Sequence, residues 1–219
     1  NEFPLKKLLM QTDKLKEKLE EINQSELSEE EKMRKIFLSK QLTAIRTRIE
    51  MIGGKKYKFD EESKLLYDAV APQYGQDYFI EILSKLDKML PGKGNVSERF
   101  DQYRSQFIIP LEKLDTVFMA AINEGRKRTL EYIPLPEKES FVVEYVNDKP
   151  WGAYNWYKGN SFSVIQVNTD LPVYVDRAID LACHEGYPGH HVYNLLLEKN
   201  LLNAKNWMEF SIYPLFSPT

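Results

Sequence analysis

The chain has 219 residues, 42% apolar and 29% charged, with three Trp, thirteen Tyr and eleven Phe, enough to bury a core and to exclude wholesale disorder. Thirty basic against thirty-three acidic residues leave a net charge of −3, which argues against a nucleic-acid binder. No apolar run approaches the ~20 residues of a membrane span, and a single cysteine excludes a disulfide framework or a multi-cysteine zinc module.

Leu5, Leu8, Leu9, Leu15, Leu19 and Ile22 recur at helical spacing among Lys and Glu, which predicts an amphipathic helix broken by residues 23–27. Ser28 before Glu29-Glu30-Glu31 is a cap with an acidic first turn. The helix it opens carries Leu38, Leu42, Ile45, Ile49 and Ile52 and stops at Gly53-Gly54. Two long helices with a short polar turn predict an antiparallel hairpin, a packing scaffold in preference to a partner-binding coiled coil. Further helices are expected over 60–71, 76–90, 97–107 and 110–132, the last with Leu111, Leu114, Phe118 and Ala121 inward. Arg126-Lys127-Arg128 reads as a solvated basic face, and Gly92-Lys93-Gly94 as a turn without the spacing of a phosphate loop.

The composition then changes. Residues 140–146, 151–157 and 161–167 are β-branched and aromatic and read as strands, the last two joined by Lys158-Gly159-Asn160 as a hairpin. Asp170, with Pro172 close behind, is expected to cap a helix running through Ala178, Ile179 and Ala182. The expected fold class is mainly α (α+β): a helical hairpin and bundle over 1–135, then a small antiparallel sheet and a motif helix over 136–219.

All three histidines fall within His184-Glu185-Gly186-Tyr187-Pro188-Gly189-His190-His191. Neutral imidazole is the commonest metal ligand, and a glutamate directly after the first histidine is where zinc peptidases keep their general base. Glu185 is placed to take a proton from a water whose pKa a metal has lowered to about 7, and to deliver it to the leaving amine. The spacing departs from H-E-x-x-H, because position i+4 is Pro188. His184 and His191 would lie about 10 Å apart along a regular helix, too far for ligands at ~2.1 Å from one ion. His184 and His190 would face different directions. Either pair needs the helix to be interrupted, and Pro188-Gly189 is a suitable interruption. Cys183 beside His184 points about 100° away on a helix, so a buried structural thiol is expected there, not a Cys-His nucleophile.

The string His184-Glu185-x-x-Pro188-Gly189-His190-His191 resembles the H-E-x-x-P-G-H signature of a mostly bacterial zincin-like family catalogued as domain of unknown function 885, related to the gluzincin metallopeptidases. The match covers these eight residues. It implies a helical N-terminal part, a short sheet and then the motif helix, so that 136–219 would be the first part of a zincin-like catalytic domain. It also implies Zn2+ as cofactor, a peptide as substrate, His184 and His190 as metal ligands and Glu185 as catalytic base, with His191 in a supporting or substrate-side role. Val192-Tyr193 departs from the Leu-Gln pair common there. The third ligand in such enzymes is a glutamate on a later helix; Glu198 is too close along the chain, and Glu209 is a weaker candidate than a glutamate beyond Thr219.

Zincin sites align an extended substrate on an edge strand, and residues 161–167 are the expected strand. Tyr154 and Tyr157 are candidates to line the cleft or to stabilise an oxyanion, although strand aromatics are more often core. The chain opens Asn1-Glu2-Phe3-Pro4 without an initiator Met or a signal-peptide pattern and is read as a fragment, cytoplasmic or exported. With two convincing ligands it is expected to hold zinc poorly by itself. The expected activity is zinc-dependent peptide hydrolysis; the alternative is a non-catalytic helical binding module with a degenerate zincin motif.

Overall fold

The computed structural model of the protein describes residues 4–211; the terminal residues read above as fragment ends lie outside that range. The chain forms two compact units, one over residues 4–75 and one over 76–211. Among the described residues no helix is long and apolar enough to cross a membrane.

In the first unit α1 (Leu5–Glu20) and α2 (Glu29–Ile52) make the hairpin. Ser28 and Glu31 cap α2 reciprocally, each side chain accepting from the other's backbone N–H, which satisfies two donors that the first turn leaves orphaned. The buried seam is made of Thr12 and Leu19 on α1 with Gln41, Ala44, Thr47 and Ile49 on α2. Short side chains there let the helices approach, and Leu15, Ile22, Ile45 and Ile52 stay at least 40% exposed because the unit is too thin to cover a wider stripe. Arg46 on α2 donates to Asp13 on α1 at 2.8 Å. The third helix, α3 (Phe59–Tyr67), ends short of residue 71 because Asp68 turns into the left-handed region (φ 55°, ψ 24°), where Lys40 and Lys64 hold its carboxylate.

The second unit begins with α4 (Gln76–Met89), α5 (Val96–Ser105) and α6 (Leu111–Leu130). Arg99 of α5 donates to the Asp87 and Leu90 carbonyls at 2.6 and 2.9 Å and so closes the open end of α4. Leu114, Phe118 and Ile122 line one stripe of α6 and pack in a core with Ile165, Val167, Ala178, Leu181 and Val192. Leu111, expected inward, is 70% exposed at the helix start.

The sheet holds β1 (Ser140–Val146), β2 (Ala153–Gly159) and β3 (Phe162–Asn168) in the order β1-β3-β2. It is mixed, not wholly antiparallel: β2 and β3 form the hairpin, while β1 lies parallel to β3. The hairpin turn is Asn160-Ser161, both at positive φ (53° and 58°), one residue later than expected and of the type whose twist suits adjacent strands.

Asp170 does not cap a helix. Its carboxylate accepts from the Asn147 side chain at 2.9 Å and from the Asp148 N–H at 2.7 Å, tying the β1–β2 loop. Val173 and Tyr174 run extended against 107–109, and Tyr174 is the N-cap from which α7 (Val175–Leu181) begins.

Candidate metal centre

The helix that begins at Val175 does not run through the motif. After α7 the chain widens into a π-type turn over Ala182–Gly186, breaks at Tyr187-Pro188-Gly189 and restarts as α8 (His190–Leu197). The Gly189 N–H donates to the Cys183 carbonyl at 2.9 Å and closes the break on itself. Glycine is required by this approach: a Cβ there would lie 1.8 Å from the His184 carbonyl oxygen. Gly125 of α6 makes room on the other side, where a Cβ would meet the Tyr187 carbonyl at 2.8 Å.

The break brings His184 and His190 together. Their ring centroids are 4.8 Å apart and the planes nearly perpendicular (85°). Both residues reach the surface. The His190 pKa is lowered, first by partial burial of the ring and second by the neighbouring His184, which favours the neutral form that binds metals.

Glu185, between them in sequence, is buried. Its Oε2 finds no hydrogen-bond partner among the described residues. Burial raises its pKa, against the lesser opposing pull of His184 and a backbone hydrogen bond. Asn155 of β2 donates from Nδ2 to the Glu185 carbonyl at 2.7 Å, anchoring this end of the motif to the sheet.

His191 is fully buried, which removes it from the substrate side. Both its ring nitrogens are engaged, Nδ1 with Ser163 Oγ at 2.8 Å and Nε2 with Glu139 Oε2 at 3.0 Å, so neither is open to a metal. The other carboxylates are placed elsewhere. Glu198 accepts from the Tyr157 hydroxyl and from the Asn160 and Ser161 N–H groups, at 2.9 and 3.2 Å for the last two, and so pins the β-hairpin turn. Burial pushes the Glu198 pKa up, but these donors outweigh it and hold the group below its usual range. Glu209 sits in the short turn Met208–Ser211. Among the described residues no three His, Cys, Asp or Glu side chains gather as a metal site.

Two neighbouring imidazoles, with a buried and unpaired carboxylate oxygen on the residue that follows the first, have the donor chemistry of part of a zinc site. The tyrosines do not join it. Tyr157 is committed to Glu198, and Tyr154 lies on the opposite face of β2, 42% exposed and against Trp156. No family model, curated protein or solved structure matches the chain.

Sequence reasoning missed Glu139, Ser163 and Asn155, each of which touches the motif from outside it. It also misread Arg126, which is no free solvated cation: it donates to the buried Glu139 from Nε and Nη2 at 2.9 and 2.8 Å. Arg128, 73% exposed beside Glu124, does fit the solvated reading.

Proposed function

We propose that the protein is a zinc-dependent peptidase, or a large part of one, of the H-E-x-x-P-G-H type it resembles. The observation that carries this reading is the helix break that sets the His184 and His190 rings 4.8 Å apart, with the intervening Glu185 buried and one of its carboxylate oxygens unpaired.

In this reading His184 and His190 hold the ion, and a third protein donor completes the set. Zinc held there supplies Lewis acidity that polarises the scissile carbonyl and makes water a better nucleophile at neutral pH. Glu185 accepts the proton from the attacking water at its unpaired carboxylate oxygen and passes it to the departing amine. Substrate alignment falls to β2 and not to β3, because β3 is central and has both sides paired.

Glu185→Gln preserves shape while removing the proton acceptor. In the full-length protein it is expected to keep zinc bound and to lower peptide hydrolysis by about 10² or more. Unchanged turnover would exclude Glu185 as the base. Absence of zinc from the full-length wild-type protein would favour the binding-module alternative.

A further inference from the structure

We propose that Glu139 is a positioning residue that clamps the two ends of the helix break and thereby sets the separation of His184 and His190. Glu139 lies just before β1, and its side chain has no exposed surface. Its Oε2 takes the Tyr187 hydroxyl at 2.5 Å and His191 Nε2 at 3.0 Å. Those two residues flank the Pro188-Gly189-His190 insertion, so one oxygen atom spans it. Oε1 takes Nε and Nη2 of Arg126 from α6, and His191 is fixed from behind by Ser163 of the central strand at 2.8 Å.

The carboxylate therefore accepts four hydrogen bonds, its full capacity, and has none left for a ligand or a reacting proton. Such saturation is what a buried charge needs to persist, and it fixes geometry because the donors come from three separate places, Arg126 on α6, Tyr187 in the break and His191 on α8. The aromatic packing agrees: the Phe141 ring lies 5.2 Å from that of Tyr187 and 5.1 Å from that of His191. Glu139 ligates nothing in this scheme. It acts through Tyr187 and His191 on the backbone that carries His190.

The consequence for zinc rests on the proposed metal role of His184 and His190; the consequence for local order does not. Two variants probe the clamp in the full-length protein, Glu139→Gln and the milder Tyr187→Phe. Glu198→Gln serves as control, since it alters a hydrogen-bonded carboxylate at the hairpin turn instead of at the break. Amide hydrogen exchange at Gly189, whose N–H closes the break, is expected to accelerate at least tenfold in both clamp variants and to stay unchanged in the control. Zinc dissociation constants from competition with a chromophoric chelator should rise about 10- to 100-fold, the usual effect of losing a group that orients metal ligands. Glu139→Gln, which keeps some of the donors paired, should lose less than Glu139→Ala.

If Glu139→Gln fails to fold, Tyr187→Phe decides. Unchanged Gly189 exchange in the clamp variants would overturn the proposal, as would equal acceleration in the control. If the wild-type protein binds no zinc, the peptidase reading falls while the exchange comparison still tests the clamp.

Discussion

Two buried carboxylates, Glu185 and Glu139, behave in opposite ways, and the difference is a count of donors. Glu185 has an oxygen with no partner, and burial raises its pKa; Glu139 has four donors, and they overcome burial. Burial pushes the Glu139 pKa up most strongly, but His191, Tyr187 and Arg126 together bring it down to about 2 from an ordinary 4.5. A carboxyl whose pKa is depressed on folding stabilises the protein above its unfolded pKa and loses that contribution as pH falls through the folded one. The difference is worth roughly 3 kcal/mol at neutral pH, fading between about pH 4.5 and pH 2. Acid titration of unfolding free energy should therefore show a limb in that window that is absent from Glu139→Gln. A limb of equal size in the variant would mean that another group carries it. Glycine at 189 is a residue-scale requirement of a different kind. Gly189→Ala forces a Cβ to within 1.8 Å of the His184 carbonyl oxygen, and only a backbone shift relieves it. We expect a loss of about 3 kcal/mol or more in denaturant unfolding, with zinc binding reduced alongside. A neutral Gly189→Ala would show that the break is not held as tightly as its contacts imply.

At the scale of elements, the parts that sequence made legible are those whose cause is local. Ser28 lies just before Glu29-Glu30-Glu31, and Leu114 and Phe118 are four residues apart, so the cap and the helix could be read directly, although the buried stripe continues to Ile122 and leaves out Leu111. The need for a break at Pro188-Gly189 was legible too, because two histidines six apart cannot face each other on an intact helix. What sequence could not show depends on pairing across distance. Strand order β1-β3-β2 puts the third strand in the centre, and nothing within residues 162–168 announces that. Asp170 looked like a cap, yet it bonds a loop more than twenty residues back. Glu139 follows Pro136-Glu137-Lys138 with nothing local to mark it, and its partners Tyr187 and His191 lie 48 and 52 residues ahead. The hairpin gives an element-scale test of the same principle. Glu198 takes one hydroxyl and two backbone N–H groups from the hairpin of β2 and β3, so Glu198→Ala takes the acceptor from the Tyr157 hydroxyl and the Asn160 N–H, while the Ser161 N–H keeps its bond to Tyr157 Oη. The expected cost is about 2 kcal/mol in denaturant unfolding, with Glu198→Gln costing about half because its amide oxygen still accepts. Equal losses for the two would assign the effect to packing instead of hydrogen bonding.

For the molecule as a whole, the two compact units divide the labour unevenly: the motif and every side chain that fixes it belong to residues 76–211. α6 supplies Arg126 and the gap at Gly125, β2 supplies Asn155, β3 supplies Ser163, and the chain before β1 supplies Glu139. Four supports converge on eight residues, so the site's geometry is a property of this unit's fold and not of the motif peptide alone. The same inventory limits how strongly residues 1–219 can hold a metal. Catalytic zinc rests on three protein ligands, and His184 and His190 are the pair that the described residues bring together. Zinc affinity comes from a complete and preorganised set of donors, so a preformed pair should bind measurably but weakly. Equilibrium dialysis of residues 1–219 at pH 7 should give an affinity well short of a structural zinc site, lost in His184→Ala and in His190→Ala. Lowering the pH should release the ion, because protonated imidazole cannot ligate. A site completed by a third protein donor should bind about one zinc per chain, and far more tightly. Tight stoichiometric zinc in residues 1–219 would instead mean that a carboxylate such as Glu209 joins the pair. Zinc retained after both histidine substitutions would place the metal, and with it the chemistry, away from this motif.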